Sequence, residues 1–307
     1  MIATAVSQDP LAISPRLTRV CSVNLHFLTP LLTNLVPECK IPSPSIGKVI
    51  INVSSAVPKH SPIQQEDTAQ LEPTEALLDE LRRQSDELEK ATPQEILRWA
   101  VERFAPRFTM ATAFGPEGMT IIHMLAEIAP ETPIFNLETG YQFQETLDLR
   151  DRIQERYGID VELKRPELTV QQYEALHGGP LYERNPHQCC FDRKIRVLQE
   201  AARGMHAWAS GIRRDQSPDR AAAPIVGWDK RFSLVKVSPL ANWTKADVWK
   251  MITDHNIPYN PLHDQGYASI GCQPCTRAVL FGEDERAGRW SGFAKTECGL
   301  HTLDDKS

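Results

Sequence analysis

The chain has 307 residues, 41% of them hydrophobic, which suffices for one large domain or two modest ones with a real core. A net charge of −6 excludes a general binder of nucleic acid or anionic membrane, so an anion site has to come from locally placed Arg and Lys. No apolar run reaches the roughly 18 residues of a membrane span, and seven cysteines are too few for a disulfide scaffold and imply a reducing, cytoplasmic setting.

Residues 1–70 are rich in Pro and Ser, with only Asp9 and Glu38 as acids before Glu66. They show no sustained period and read as a disordered extension, with a targeting segment as the alternative. From Pro73 the pattern is regular. Thr74 to Lys90 is an amphipathic helix. Thr92-Pro93-Gln94-Glu95 supplies an N-cap, a first-turn Pro and a Glu for a second helix toward Phe104. Strands and helices then alternate: strand Phe108 to Ala113, helix Gly118 to Ile128, strand Thr132 to Leu137, helix Glu145 to Tyr157, strand Val161 to Lys164. Helices Val170 to Ala175 and Asp192 to Arg203 follow, then strands His206 to Ser210 and Phe232 to Val237, and a helix capped by Thr244 through Ile252. The alternation predicts an α/β fold with a parallel sheet flanked by helices, forming a nucleotide-binding domain over 71–240, and a cysteine-bearing loop and tail over 241–307. Ligands of such folds sit beyond the carboxyl ends of the strands.

Three segments fall on that rim. Ala113-Phe114-Gly115-Pro116-Glu117-Gly118 is a strand-to-helix turn whose free N–H groups suit a phosphate. Thr139 and Gly140 end the second strand. Gly211 to Arg220 carries Arg213, Arg214, Gln216, Ser217 and Arg220, enough charge to hold a dianion. The cysteines form two pairs, Cys189-Cys190 and Cys272-Gln273-Pro274-Cys275, while Cys298 stands alone in a C-terminal Glu-Cys-Gly-Leu-His. Four soft thiolates can hold zinc or an iron–sulfur cluster, and spacing does not decide between them. A lone thiol can act as a nucleophile. Lys194 lies one helical turn past Cys190, within reach of a cluster or a bound anion.

These pieces, together with Val237-Ser238-Pro239-Leu240, Tyr267 to Arg277 and Glu285 to Trp290, resemble the assimilatory sulfonucleotide reductases over about residues 75–301. The resemblance implies an adenine-nucleotide alpha-hydrolase-like fold, similar to PP-loop proteins, with a flexible catalytic tail. It implies that Cys189, Cys190, Cys272 and Cys275 ligate a [4Fe-4S] cluster and that Cys298 is the nucleophile. Lys194, Arg286, Arg289 and His301 match basic residues at the sulfate. The implied reaction is reduction of adenylyl sulfate (APS) to sulfite and AMP, in sulfate assimilation and cysteine biosynthesis, through an S-sulfo-cysteine on Cys298. No thioredoxin-like domain follows His301, so the reductant is expected to be a separate thioredoxin or similar dithiol protein. The quartet points to APS. The turn from Ala113 to Gly118, with Met119 where APS reductases carry an acid, and Tyr141 follow the pattern of phosphoadenylyl-sulfate (PAPS) reductases, which makes PAPS, or both nucleotides, the alternative. An ATP-using PP-loop enzyme would need a Ser-Gly-Gly-x-Asp-Ser loop that Ala113 to Met119 do not supply. A zinc-knuckle binding module would leave Cys298 and the arginines without a role.

Overall fold

The computed structural model describes residues 70–293 and Lys295. The N-terminal extension, Cys298 and His301 lie outside the described residues. Helix α1 (Glu75–Glu87) begins at Thr74, whose side chain accepts from Leu77 N. Helix α2 (Pro93–Phe104) begins with a reciprocal capping box between Thr92 and Glu95, which satisfies two of the donors that a helix start leaves open. Then follow β1 (Phe108–Thr112), α3 (Pro116–Ile128), β2 (Ile134–Leu137), α4 (Gln144–Tyr157), β3 (Glu162–Lys164) and α5 (Val170–His177). Helix α6 (Pro186–Cys190) runs through a π turn (Phe191–Ile195) into α7 (Arg196–Ala201). Strands β4 (Ala207–Ala209), β5 (Val226–Asp229) and β6 (Leu234–Val237) and helix α8 (Lys245–Asp254) complete the order.

The six strands lie in the order β3-β2-β1-β4-β6-β5. All neighbouring pairs are parallel except β5 with β6, which is antiparallel. The sheet is therefore mixed rather than parallel throughout: β5, absent from the sequence expectation, turns back through residues 230–233 as a hairpin onto the edge. A second difference concerns the helix expected at Asp192. It starts six residues earlier, at Pro186, with Asn185 Oδ1 accepting from Gln188 N at 3.0 Å. Both vicinal cysteines thus sit on helix rather than in a loop.

Alternate residues along each strand face opposite cores. Met110, Ile134, Ala207 and Ala209 join a large cluster with α2, α3 and α8. Phe135, Leu137, Trp208 and Leu234 join a smaller one with Ile195, Val197 and Leu198. Each large apolar side chain so buried contributes about 1.5–3 kcal/mol. Strand order reverses direction at β1, so the crevice at the carboxyl ends of β1 and β4 is the switch point where ligands of open α/β sheets bind. No helix among the described residues is long and apolar enough to cross a membrane.

Candidate active site

A cavity of about 260 Å³ opens at that crevice. Gly115 is the N-cap of α3 and offers no side-chain cap, so the first N–H groups of the helix are left for a ligand. Phe114 sets the turn: it adopts φ 56°, donates its N–H to Thr112 Oγ1 at 3.0 Å and buries its ring in the core at 1% exposure. Its contribution is to shape the turn, and Gly115 rather than the phenyl ring lines the cavity.

The Gly211–Arg220 segment divides its arginines. Arg213, 3% exposed, lines the cleft; its Nε donates to Glu117 Oε1 at 2.9 Å and Nη1 pairs with Asp215. Gln216 Nε2 donates to the same Glu117 oxygen at 3.0 Å, and Arg220, also on the cleft, donates to Gln216 Oε1. Arg214 turns elsewhere: it forms a two-pronged pair with Glu89, bonds Asn242 and donates to Ala223 O at 2.8 Å, which clips the loop to the end of α1. Ser217 lines a separate open cleft beside Arg286, Arg289 and Trp290.

The four cysteines of the two pairs line one neighbouring cavity, and none is in a disulfide. A β-bridge between Gln142 and Cys272 and a bond from Gln273 N to Tyr141 O at 2.7 Å tie the C-x-x-C loop to the β2–α4 loop. Thr139 lines this cavity rather than the nucleotide cleft, and Gly140 lines neither. Thr139 Oγ1 lies 3.3 Å from Cys272 Sγ. Gly140, at φ 78°, passes so close to Val170 that a Cβ would come within 2.5 Å of its Cγ2. Burial pushes the Cys189 thiol up to about 12, aided by Cys272 and Cys275 and opposed by Arg193 and Lys194. Burial also raises Cys275, against Lys194, Arg289 and Lys295. Four thiols sharing a cavity fit the donor set of an iron–sulfur cluster, and ligation would hold them as thiolates despite burial. Among the described residues no group of three or more His, Cys, Asp or Glu side chains is placed to hold a metal ion.

Lys194, Cys272 and Arg289 line both cavities. Arg289 donates to Ser269 Oγ at 3.2 Å and stacks over the Trp290 ring at 4.5 Å. Its path requires Gly271, where a Cβ would fall 2.1 Å from Arg289 Nη2. Arg286 and Lys295 approach the same ring at 6.0 and 5.2 Å, and Trp290 packs on Cys190 and Cys275. Trp290 and Arg193 are the residues that sequence reasoning missed. Arg193 donates to Thr139 O at 2.5 Å and stacks on Tyr141 and Tyr173; its position directly before Lys194 was the available signal. Met119 is fully buried in the core and Tyr141 lines the cysteine cavity, whereas the turn from Ala113 to Gly118, also of PAPS type, lines the nucleotide cleft.

Fold and site together define an α/β nucleotide-binding protein whose cleft shares a wall with a four-thiol cavity. The chain belongs to the phosphoadenosine phosphosulfate reductase domain family, whose model matches residues 107–278. It is 47% identical over 211 residues to an adenosine 5'-phosphosulfate reductase of Staphylococcus haemolyticus, covering 68% of this chain and 87% of that protein. It is 45% identical over 227 residues to a phosphoadenosine 5'-phosphosulfate reductase of Gloeobacter violaceus, covering 73% and 93%. Among solved structures, phosphoadenylyl-sulfate reductase from Candida auris superposes with a TM-score of 0.60 at 29% identity, covering 69% of this chain and all of that one.

Proposed function

We propose that this chain reduces adenosine 5'-phosphosulfate to sulfite and AMP in sulfate assimilation. The observation that carries the reading is the shared wall: Lys194 and Arg289 border the nucleotide cleft on one side and the thiol cavity on the other. Nucleotide enters over the N-terminus of α3, where open N–H groups and Arg220 receive its phosphate. Lys194, Arg286 and Arg289 neutralise the sulfate, which would otherwise repel an approaching thiolate. The family resemblance adds His301 as a further basic group for the sulfate. Cys298 thiolate attacks sulfur, the sulfur–oxygen bond to phosphate breaks, and AMP leaves with the electron pair, giving S-sulfo-cysteine. A thiolate of thioredoxin or a similar dithiol protein then attacks Cys298 Sγ and releases sulfite. Its second thiol resolves the mixed disulfide and restores Cys298. Sulfur is thereby reduced by two electrons and the dithiol oxidised by two.

Cys189, Cys190, Cys272 and Cys275 would hold a [4Fe-4S] cluster, which when bound supplies a fixed charge close to the sulfate site. Thr139 and Arg193 orient the sulfur-bearing loops around it.

The test is sulfite release from APS and from PAPS with thioredoxin supplied. Strong preference for APS is expected. Dependence on the 3'-phosphate would favour the second reading, PAPS reduction, the activity named for the Gloeobacter relative. Release from neither nucleotide defeats both.

A further inference from the structure

Arg213 and Arg214 are neighbours in the chain, and the structure sends them apart. Arg213 has extended backbone, φ −121° and ψ 144°, in which successive side chains point to opposite sides. The Arg213 guanidinium lies on the nucleotide cleft. That of Arg214 leaves it and is received by both carboxylate oxygens of Glu89, in the single turn Leu88–Lys90 that follows α1. Arg214 Nη1 also reaches Asn242 Oδ1, its Nε donates to Ala223 O at 2.8 Å, and its backbone N–H donates to Ala241 O at 2.9 Å. Asn242 Nδ2 in turn donates to Glu89 O at 2.7 Å. One guanidinium fork, a geometry that Lys lacks, thus ties the end of α1 to the loops that follow β4 and β6.

The bond to Ala223 O brings the ends of residues 214–223 together, as in an Ω-loop. Helix α1 clasps the chain again just beyond that loop. Ser85, about one turn before Glu89 and 8% exposed, accepts from Ile225 N at 3.0 Å and Val226 N at 3.3 Å. Inside the loop, Gln216 and Arg220 face the nucleotide cleft and bond each other. Their placement is therefore set from behind, by a strut outside the cleft. A shift of about 1 Å in side chains that meet a bound anion is enough to weaken their contacts severely.

We propose that Arg214 and Glu89 are a positioning pair: they fix the 214–223 loop so that Arg213, Gln216 and Arg220 meet the nucleotide in register, and Arg214 itself touches no substrate. The proposal rests on nucleotide binding at this cleft and goes beyond it by assigning the residues that hold the anion-facing loop from outside.

The test compares Glu89→Ala, Arg214→Ala and the double variant as holoproteins. Calorimetric affinity for AMP should fall about tenfold in each single variant and no further in the double one, because the two residues act as one unit. KM for the sulfonucleotide should rise by the same factor, with kcat changing less than about twofold and melting temperature falling by a few degrees at most. Arg214→Lys, which keeps the charge without the fork, should recover only part. A much larger loss in Arg214→Ala than in Glu89→Ala, or losses that add in the double variant, would mean that Arg214 contacts the nucleotide and would overturn the proposal. So would unchanged AMP binding in both single variants, or a fall in kcat as large as the rise in KM. Hydrogen exchange of the amides of 214–223 reads the clasp with no nucleotide present. It should quicken about tenfold, equally in the two single variants; unchanged exchange contradicts the pair. A wild type that neither binds AMP nor releases sulfite defeats the functional reading alone, because exchange still reports on the clasp.

Discussion

The nucleotide cleft is framed mostly by regular elements: strand ends, the open start of α3 and a loop whose side chains are paired among themselves, with Phe114 at φ 56° as the exception. The cysteine cavity beside it is framed by exceptions. Its sulfurs come from the end of the short helix α6, just before a π turn, and from a C-x-x-C loop, and Trp290 beside them has φ 48°, a conformation that β-carbon-bearing residues rarely take. Yet the two share Lys194, Cys272 and Arg289. The difference teaches that the nucleotide cleft rests mostly on regular elements, while the cysteine cavity rests on irregular backbone. Irregular backbone persists where surrounding contacts over-determine it, and the bond from Trp290 N to Cys275 O at 3.0 Å and three cations on one ring do that.

Changes on the shared wall should break this division most. Lys194→Ala removes a cation that both cavities use, and turnover should fall about 10²–10³-fold while the iron and sulfide content of the purified protein changes little. Equal loss of both would mean that Lys194 serves only to hold the cavity together. Next in size is Gly271→Ala. The new methyl displaces the Arg289 guanidinium, the flexible partner in that contact, so kcat/KM should drop about tenfold with melting temperature nearly unchanged. A large fall in melting temperature instead would place the effect in the backbone. Smaller again is Thr139→Val, which removes the hydroxyl beside Cys272 and keeps the shape. It should shift the absorbance or reduction potential of the thiol-bound group and leave AMP affinity alone; weakened AMP binding would merge the two regions that the comparison separates.

The smallest effect belongs to neither region. His123 on α3 is buried against His255 at 4.9 Å and Tyr157 at 5.7 Å. Burial holds its pKa below the ordinary 6.5, opposed by Glu127 and aided by His255 and Arg156. The unfolded ring thus binds a proton that the folded ring refuses. Stability is full above about pH 6.5 and is lost as pH falls from there toward the lowered folded value. A His123→Gln variant should flatten melting temperature against pH in that window without moving the pH profile of sulfite release.

Much of the fold was legible because local signals agreed with each other. The Thr92 capping box, the period of α1 and the β1–α3 turn all appear where the residues imply. Strand β5 was not, because Val-Gly-Trp-Asp lacks a run of β-formers and pairs only as a hairpin on the edge. Helix α6 was missed because the capping Asn185 and the first-turn Pro186 precede the cysteines that drew the reading. At the site, the pairing of the cysteines and the nearness of Lys194 to Cys190 were readable from residue type and spacing, whereas Arg289 came only with the family resemblance. What spacing cannot give is direction. Arg214 points to Glu89, Thr139 to a sulfur, and Phe114 into the core, all decided by long-range packing.

The central claim is that a thiol of the C-terminal tail takes the sulfonate from nucleotide bound beside the four-cysteine cavity. Mass spectrometry of the holoprotein, mixed with APS in the absence of any dithiol and then digested, tests it directly. The account predicts one added SO3 unit, confined to the peptide containing Cys298, with stoichiometric AMP released and no adduct in Cys298→Ser. An adduct on Cys189, Cys190, Cys272 or Cys275, or AMP release without any adduct, would contradict it.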